Sequence, residues 1–446
     1  MMWRLALRTV RARSSAYFAS AGVLVAGTAL LTAFAALAET GLAGNTEALA
    51  ILAAIMGGWT MAIVAFGVVS TVSLVIGQRE RELALLRSIG TTPGQVRGTV
   101  LVETVVVAVP AVLVGVLPGI GLGSFLLGRM VDAGVAHAPI ELVATWRTAT
   151  AGAVISLLSA AVAAVIAGRR ASLVSPVLAL AESADAPPQS TVVSKPKLTT
   201  GVAFVVLGLG SGISTLFMAN GPLLAAAAGP ACIAVAIGLA LLSPAVVAVT
   251  GRAATRLPSG VGRLALRNLD ARAARASTVV GPLTLLVGIA AGTLYMQSTE
   301  NSAVTAVGAV TGDVAPQFAA ANYLIVAMII AFSTIAVTNT LIAATWHRRR
   351  EFGLLRLTAS TRGQVLGMVT VESTVSAVIA VVLGTIAAAV TTIPYSVVRT
   401  GSPIPAGRPW MYLAIAGGGF AISFAATFST TVRATRIRPV AALATA

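Results

Sequence analysis

Long apolar runs, separated by short polar or basic interruptions, fill almost all of this 446-residue chain. A helix needs roughly 20 apolar residues to cross a bilayer. Runs of that order fall at residues 16–38, 50–76, 101–128, 146–167, 199–219, 223–249, 278–297, 320–345, 368–392 and 410–432. The pattern predicts an all-α integral membrane protein with ten transmembrane helices. The fifth and sixth are joined by one tight turn, Asn220–Pro222, and the longest connection on the outer side, about 20 residues between the seventh and eighth, is too short for a folded domain. The first run begins with Arg4, Arg8, Arg11 and Arg13 and carries an A-x-A triplet at Ala36–Ala38, as a secretory leader would. Its apolar stretch of about 22 residues exceeds the 7–15 of such leaders, so it is expected to remain as a membrane helix.

Two interruptions have a helical pattern of their own. The stretch RERELALLRSIGTTPGQV, Arg79–Val96, returns 269 residues later within HRRREFGLLRLTASTRGQV, His347–Val365. At 100° per residue, Leu83, Leu85, Leu86 and Ile89 share one side, opposite Glu80, Arg81, Ala84, Arg87 and Ser88. The second copy sets Phe352, Leu354 and Leu355 against Arg350 and Arg356. Gly90 should end the first helix, with Thr91 or Thr92 capping the next and Pro93 in its first turn. Each copy is thus a short amphipathic helix between two spans. Basic residues alone would suit anionic headgroups, but Glu80, Glu82 and Glu351 are unhelpful there, and mixed charge around an apolar ridge suits a protein partner better.

Other landmarks repeat in the same order. RLALR stands at Arg4–Arg8 and at Arg263–Arg267, and RASLVSPVLAL at Arg170–Leu180 is echoed by RATRIRPVAAL at Arg433–Leu443. The expected organisation is a four-helix core in residues 1–180, a linker rich in Pro and Ser in 181–198, a two-helix connector in 199–250, and a second four-helix core in 251–446. In the third span Gly115, Gly119 and Gly123 lie on one face, with Gly384 and Ala388 as their softer counterparts. Such spacing lets helices pack closely; a helix that moves, with Pro110 and Pro118 loosening its ladder, is the functional alternative.

Composition agrees with the pattern: 57% of residues are hydrophobic and 10% charged, with mean hydropathy +0.93. The net charge of +16 would permit nucleic-acid binding, but its distribution points elsewhere. With the N-terminus placed in the cytoplasm, 26 of the 30 basic residues fall in cytoplasmic segments, leaving Arg129, Arg147, Arg399 and Arg408 outside. This is positive-inside asymmetry, with both termini cytoplasmic and no nucleic-acid partner expected.

Catalytic chemistry is not legible. The two lysines, Lys195 and Lys197, cannot furnish a G-x-x-x-x-G-K-[ST] phosphate loop, and His137 and His347 form no metal-binding pair. The lone Cys232 reads as a small buried hydrophobe. Glu103 and Glu372 fall near the cytoplasmic ends of the third and ninth spans, where capping, or pairing with a nearby arginine such as Arg97, is expected ahead of an ion site.

Arg79–Val96, followed by an apolar helix bearing Glu103, resembles the signature of the FtsX/MacB-type permeases of ABC transporters, and residues 350–372 resemble a second, weaker copy. The resemblance implies two pseudo-symmetric FtsX-like cores joined by two extra helices, similar to the ten-helix branch that includes bacitracin- and lantibiotic-resistance permeases. The chain departs from that family in lacking a large extracellular domain, which puts in doubt any role requiring one. The implied ATPase-docking residues are Arg81, Glu82, Leu85, Leu86 and Arg87 in the first copy and Arg350, Glu351, Leu354, Leu355 and Arg356 in the second. The leucines are expected to fill a partner groove and the arginines to line its rim.

The expected function is that of a permease subunit in a bacterial cytoplasmic (inner) membrane, not itself an enzyme. It would export or clear a hydrophobic or amphipathic compound, such as an antimicrobial peptide or lipid-like molecule. No cofactor is expected in this chain; ATP and Mg belong to the partner. The partners are two copies of an ABC ATPase subunit and membrane lipid, with room for an accessory extracellular protein or a sensor kinase. A non-transporting sensor and an ion-coupled secondary transporter remain the alternatives.

Overall fold

The structure, a computed structural model, describes residues 14–77, 79–88, 90–132, 140–173, 195–253, 266–267, 269, 273–307, 314–357 and 360–436. RLALR at Arg4–Arg8, most of the linker and the end of the RATRIRPVAAL echo lie outside the described residues, as do the side chains of Arg81 and Arg350. The described elements are α1 (Ser14–Ala43), α2 (Glu47–Gly77), α3 (Glu80–Ser88), α4 (Pro93–Asp132) and α5 (Trp146–Leu173). They continue with α6 (Lys195–Ser214), α7 (Pro222–Ala253), α8 (Ala273–Val307), α9 (Val314–His347), α10 (Arg349–Leu357), α11 (Arg362–Thr400) and α12 (Pro409–Arg436). All but α3 and α10 are long and apolar enough to span a membrane, which makes ten spans among the described residues.

The first core is α1–α5 and the second α8–α12. Helices α1 and α4 pack closely in the first core, as α8 and α11 do in the second. The seam is built from missing side chains. A Cβ on Gly115 would stand 2.7 Å from the Val25 carbonyl oxygen, and one on Gly119 would stand 2.8 Å from that of Ala29. In the second core a Cβ on Gly384 would stand 2.9 Å from the Thr284 carbonyl oxygen. Gly115 and Gly384 are 269 residues apart, and their partners Val25 and Thr284 are 259 apart, so the repeat is spatial as well as sequential. Lipid tails are as apolar as leucine, so close backbone approach of this kind is a main source of helix association in a bilayer. Gly123 has ordinary room, 3.5 Å from Ala33, and Ala388 is buried beside Gly292 on α8. The small-residue face is therefore a packing seam in both cores.

Helices α6 and α7 form a hairpin, joined through a short 3-10 turn at Thr215–Phe217. Helix α7 lies on α8 and α11 and also reaches α2. Thr391 donates to the Ala228 carbonyl oxygen at 2.9 Å, and the Cys232 thiol donates to that of Gly288 at 3.2 Å. Cys232 is thus the buried, small-residue contact expected of it. Within the spans, threonine hydroxyls such as Thr71 and Thr284 bond to the carbonyl four residues back and need no partner from lipid.

The seventh and eighth spans are longer than hydropathy suggested. Only residues 308–313 separate α8 from α9, in place of the expected connection of about 20. The polar end of α8 contains no Pro or Gly to stop it, and it is held to α11 by Glu300. Arg399 bonds Glu300 at 2.5 and 2.7 Å, and Tyr395 donates to the same carboxylate at 2.6 Å. On that face of the bundle the longest interhelical segment is 133–145.

Candidate partner-docking site

The opposite face carries α3 and α10, each set between the second and third spans of its core. Their boundaries follow local chemistry. Gly90 ends α3 with φ +102°, a conformation that L side chains rarely adopt. Thr92 and Gln95 then exchange side-chain and backbone hydrogen bonds at the start of α4. Thr361 and Gln364 form the matching capping box at α11.

Each short helix is anchored by one apolar side chain and one arginine. Leu83 is 1% exposed and its counterpart Phe352 is 0% exposed. Immediately before α3, Arg79 donates from Nε to Glu82 Oε2 at 3.2 Å and from Nη1 to Glu103 Oε2 on α4. Before α10, Arg348 donates to both oxygens of Glu351, at 3.3 and 3.2 Å, and from Nη1 to Glu372 Oε2 on α11 at 2.6 Å. The spacing is the same in both copies, arginine, glutamate three residues on and glutamate 24 residues on. The clasp joins each short helix to the long helix behind it. In the first copy the pair is almost dry, with side-chain exposures of 9% for Arg79 and 4% for Glu103. Burial opposes the charge on Arg348, but the Glu372 and Glu351 carboxylates outweigh that cost and hold its guanidinium above its ordinary range. The Arg348 guanidinium also lies 5.3 Å from the Phe352 ring centroid, so anchor and clasp are in contact.

The ten residues expected to meet a partner therefore divide. Leu85 and Leu354 project outward, 45% and 50% exposed, with Leu357 beside the latter at 51%. Leu86 and Leu355 are half-buried against the chain's own apolar clusters and do not extend that ridge. Glu82 and Glu351 belong to the clasps. Arg87 is half-buried, and Arg356 donates to the Thr435 carbonyl oxygen at 2.8 Å, tying α10 to the end of α12. The expected pairing of Glu103 with Arg97 is replaced. Arg97 donates to Ser172 Oγ at 2.9 Å, and Glu103 takes Arg79. The six-residue separation explains this, because it sets the two side chains about 120° apart around one helix and about 9 Å apart along it. Arg79 and Arg348 are the functional candidates that pattern reading missed; the repeated R-x-x-E spacing, followed by a glutamate in the next span, was the available signal. Glu103 and Glu372 are committed to arginines at this face, as expected for pairing ahead of an ion site. No group of three or more potential metal ligands occurs among the described residues.

No curated protein matches the chain. The family model for the FtsX-like permease C-terminal region matches residues 54–176 and matches again at 323–439, together just over half of the sequence. Each match begins in the second span of a core and runs through α3 or α10, the clasp and the last two spans. The chain belongs to the FtsX-like permease family, multi-pass membrane components of the ABC-transporter type that generally work with separate ATPase subunits and are not themselves enzymes.

Proposed function

We propose that the protein is the permease subunit of an ATP-driven transporter in a bacterial cytoplasmic membrane, and that it recruits one ATPase subunit at α3 and another at α10. The observation that carries this reading is the duplicated clasp behind an exposed leucine, one in each core. A partner pushing on α3 acts through Arg79 on Glu103, hence on α4, which is seated on α1 through Gly115 and Gly119. The second copy runs from Arg348 through Glu372 and α11 to the Gly384 seam with α8. ATP and Mg bind the partner, and the exported or cleared compound is hydrophobic or amphipathic. Purified alone, the chain should hydrolyse no ATP. Reconstituted with an ABC ATPase encoded beside it, it should transport with the proton gradient collapsed. Loss of transport under that condition, with ATP and ATPase intact, would overturn the reading in favour of an ion-coupled carrier.

The distribution of basic residues supports an orientation with α3, α10 and both termini in the cytoplasm. Cysteines placed at exposed Asn45 or at Ser402 should react with an impermeant thiol reagent on intact cells, whereas one at Thr91 should react only after lysis. Labelling at Thr91 in intact cells would reverse the orientation.

A further inference from the structure

The two cores differ at one corner, where the last span meets the first two. In the first core α5 lies close along α1 and α2. Thr28 and Ser156 hydrogen-bond across this corner at 2.9 Å, and a Cβ on Gly152 would meet the Thr32 backbone nitrogen at 2.9 Å. In the second core the same positions are held by Val287 and Gly419, which cannot make that bond, and α12 touches α8 and α9 far more sparsely. A cavity of about 570 Å³ opens between α8, α9 and α12. That lies within the roughly 300–1,000 Å³ usual for small-molecule sites.

The cavity is graded along the membrane normal. Toward mid-membrane its walls include Val287, Ala290, Ile415 and Ile422, and Gly418 faces it with nothing within 4 Å of where a Cβ would stand. At the end away from the docking face its lining is Ser298, Tyr323, Arg408 and Trp410. Arg408 is exposed and, among the described residues, has no carboxylate partner. By contrast Arg129 pairs with Asp132, and Arg399 with Glu300. Apolar walls below a cation and hydroxyl groups match a chain-bearing molecule with a negative head.

We propose that this groove binds one anionic lipid of the outer leaflet, its acyl chain along α12 and its phosphate at Arg408. The assignment deepens the transport reading by naming where a compound enters from the bilayer. Binding needs no ATPase, so the site and the transport reading fail separately.

The test uses the full chain in phosphatidylcholine nanodiscs with two photoactivatable lipids. These carry the same diazirine acyl chain and differ only in a phosphoglycerol or phosphocholine head. The phosphoglycerol probe should label peptides of α8 and α12 at least several-fold more than the phosphocholine probe. Arg408→Gln, at an exposed position, should abolish that preference while leaving chain labelling in place. Gly418→Leu fills open space and should reduce labelling by both probes. Equal labelling by the two heads in the unaltered protein, or a preference that survives Arg408→Gln, would overturn the proposal and leave a groove that takes any lipid.

Discussion

Replacing Leu85 and Leu354 together by aspartate should strip the permease of its ATPase. Each leucine is about half exposed on a helix anchored inward by another side chain, Leu83 or Phe352, so it is available to a partner and dispensable to the fold. Burying a leucine contributes about 2 kcal/mol, so each ATPase subunit, which meets one of the two leucines, should bind about thirtyfold more weakly. The cost of burying a new carboxylate adds to that figure. Co-purification of the tagged double variant with its ATPase measures the effect. Retention at the unaltered stoichiometry, in a normally inserted protein, would show that these helices face lipid. Leu86→Asp is the instructive control. It places a carboxylate against the chain's own cluster, so thermal stability should fall whether or not a partner is present.

The second large effect lies at the clasp. Arg79→Ala leaves the Glu103 carboxylate buried and without its arginine, which costs about 3–5 kcal/mol in a dry site. A fall in melting temperature in detergent would report it. Replacing both residues by leucine removes the charge along with its partner and should recover most of that stability. If the clasp transmits motion, this double variant should still bind ATPase, and its hydrolysis should no longer respond to substrate. A stable double variant with normal substrate-stimulated turnover would reduce the clasp to a structural pair. Arg348→Ala should be milder, because Arg348 is a quarter exposed and water can take over part of its role.

Features governed by a few neighbouring residues were legible in the sequence. The ten spans follow from hydropathy, and the breaks at Gly90 and before Pro93 from backbone preference. The Gly115 and Gly384 seams follow from spacing. The clasp was not legible, since an arginine chooses its carboxylate in three dimensions and the nearer candidate, Arg97, is turned about 120° away on the same helix and bonds Ser172 instead. The leucine ridge was read too broadly for a related reason. A wheel assigns Leu83, Leu85 and Leu86 to one half, but a short helix resting on a core buries only a narrow stripe, and Leu85 falls outside it. The groove beside α12 was out of reach, because it depends on how closely one helix packs on its neighbours.

The glycine seams also set the number of mechanical parts. At Gly115 and Gly384 two backbones meet without side chains between them, so sliding either pair lengthwise would drive Thr28 or Val287 into the neighbouring helix. Helices α1 and α4 therefore travel as one beam, and α8 and α11 as another. Any rocking has to be taken up where the packing is thin, and α12 is the thinnest of these joints. A unit written twice in one chain thus has a stiff half and a loosely packed half, and the motion of the proposed transport cycle would fall unevenly between them.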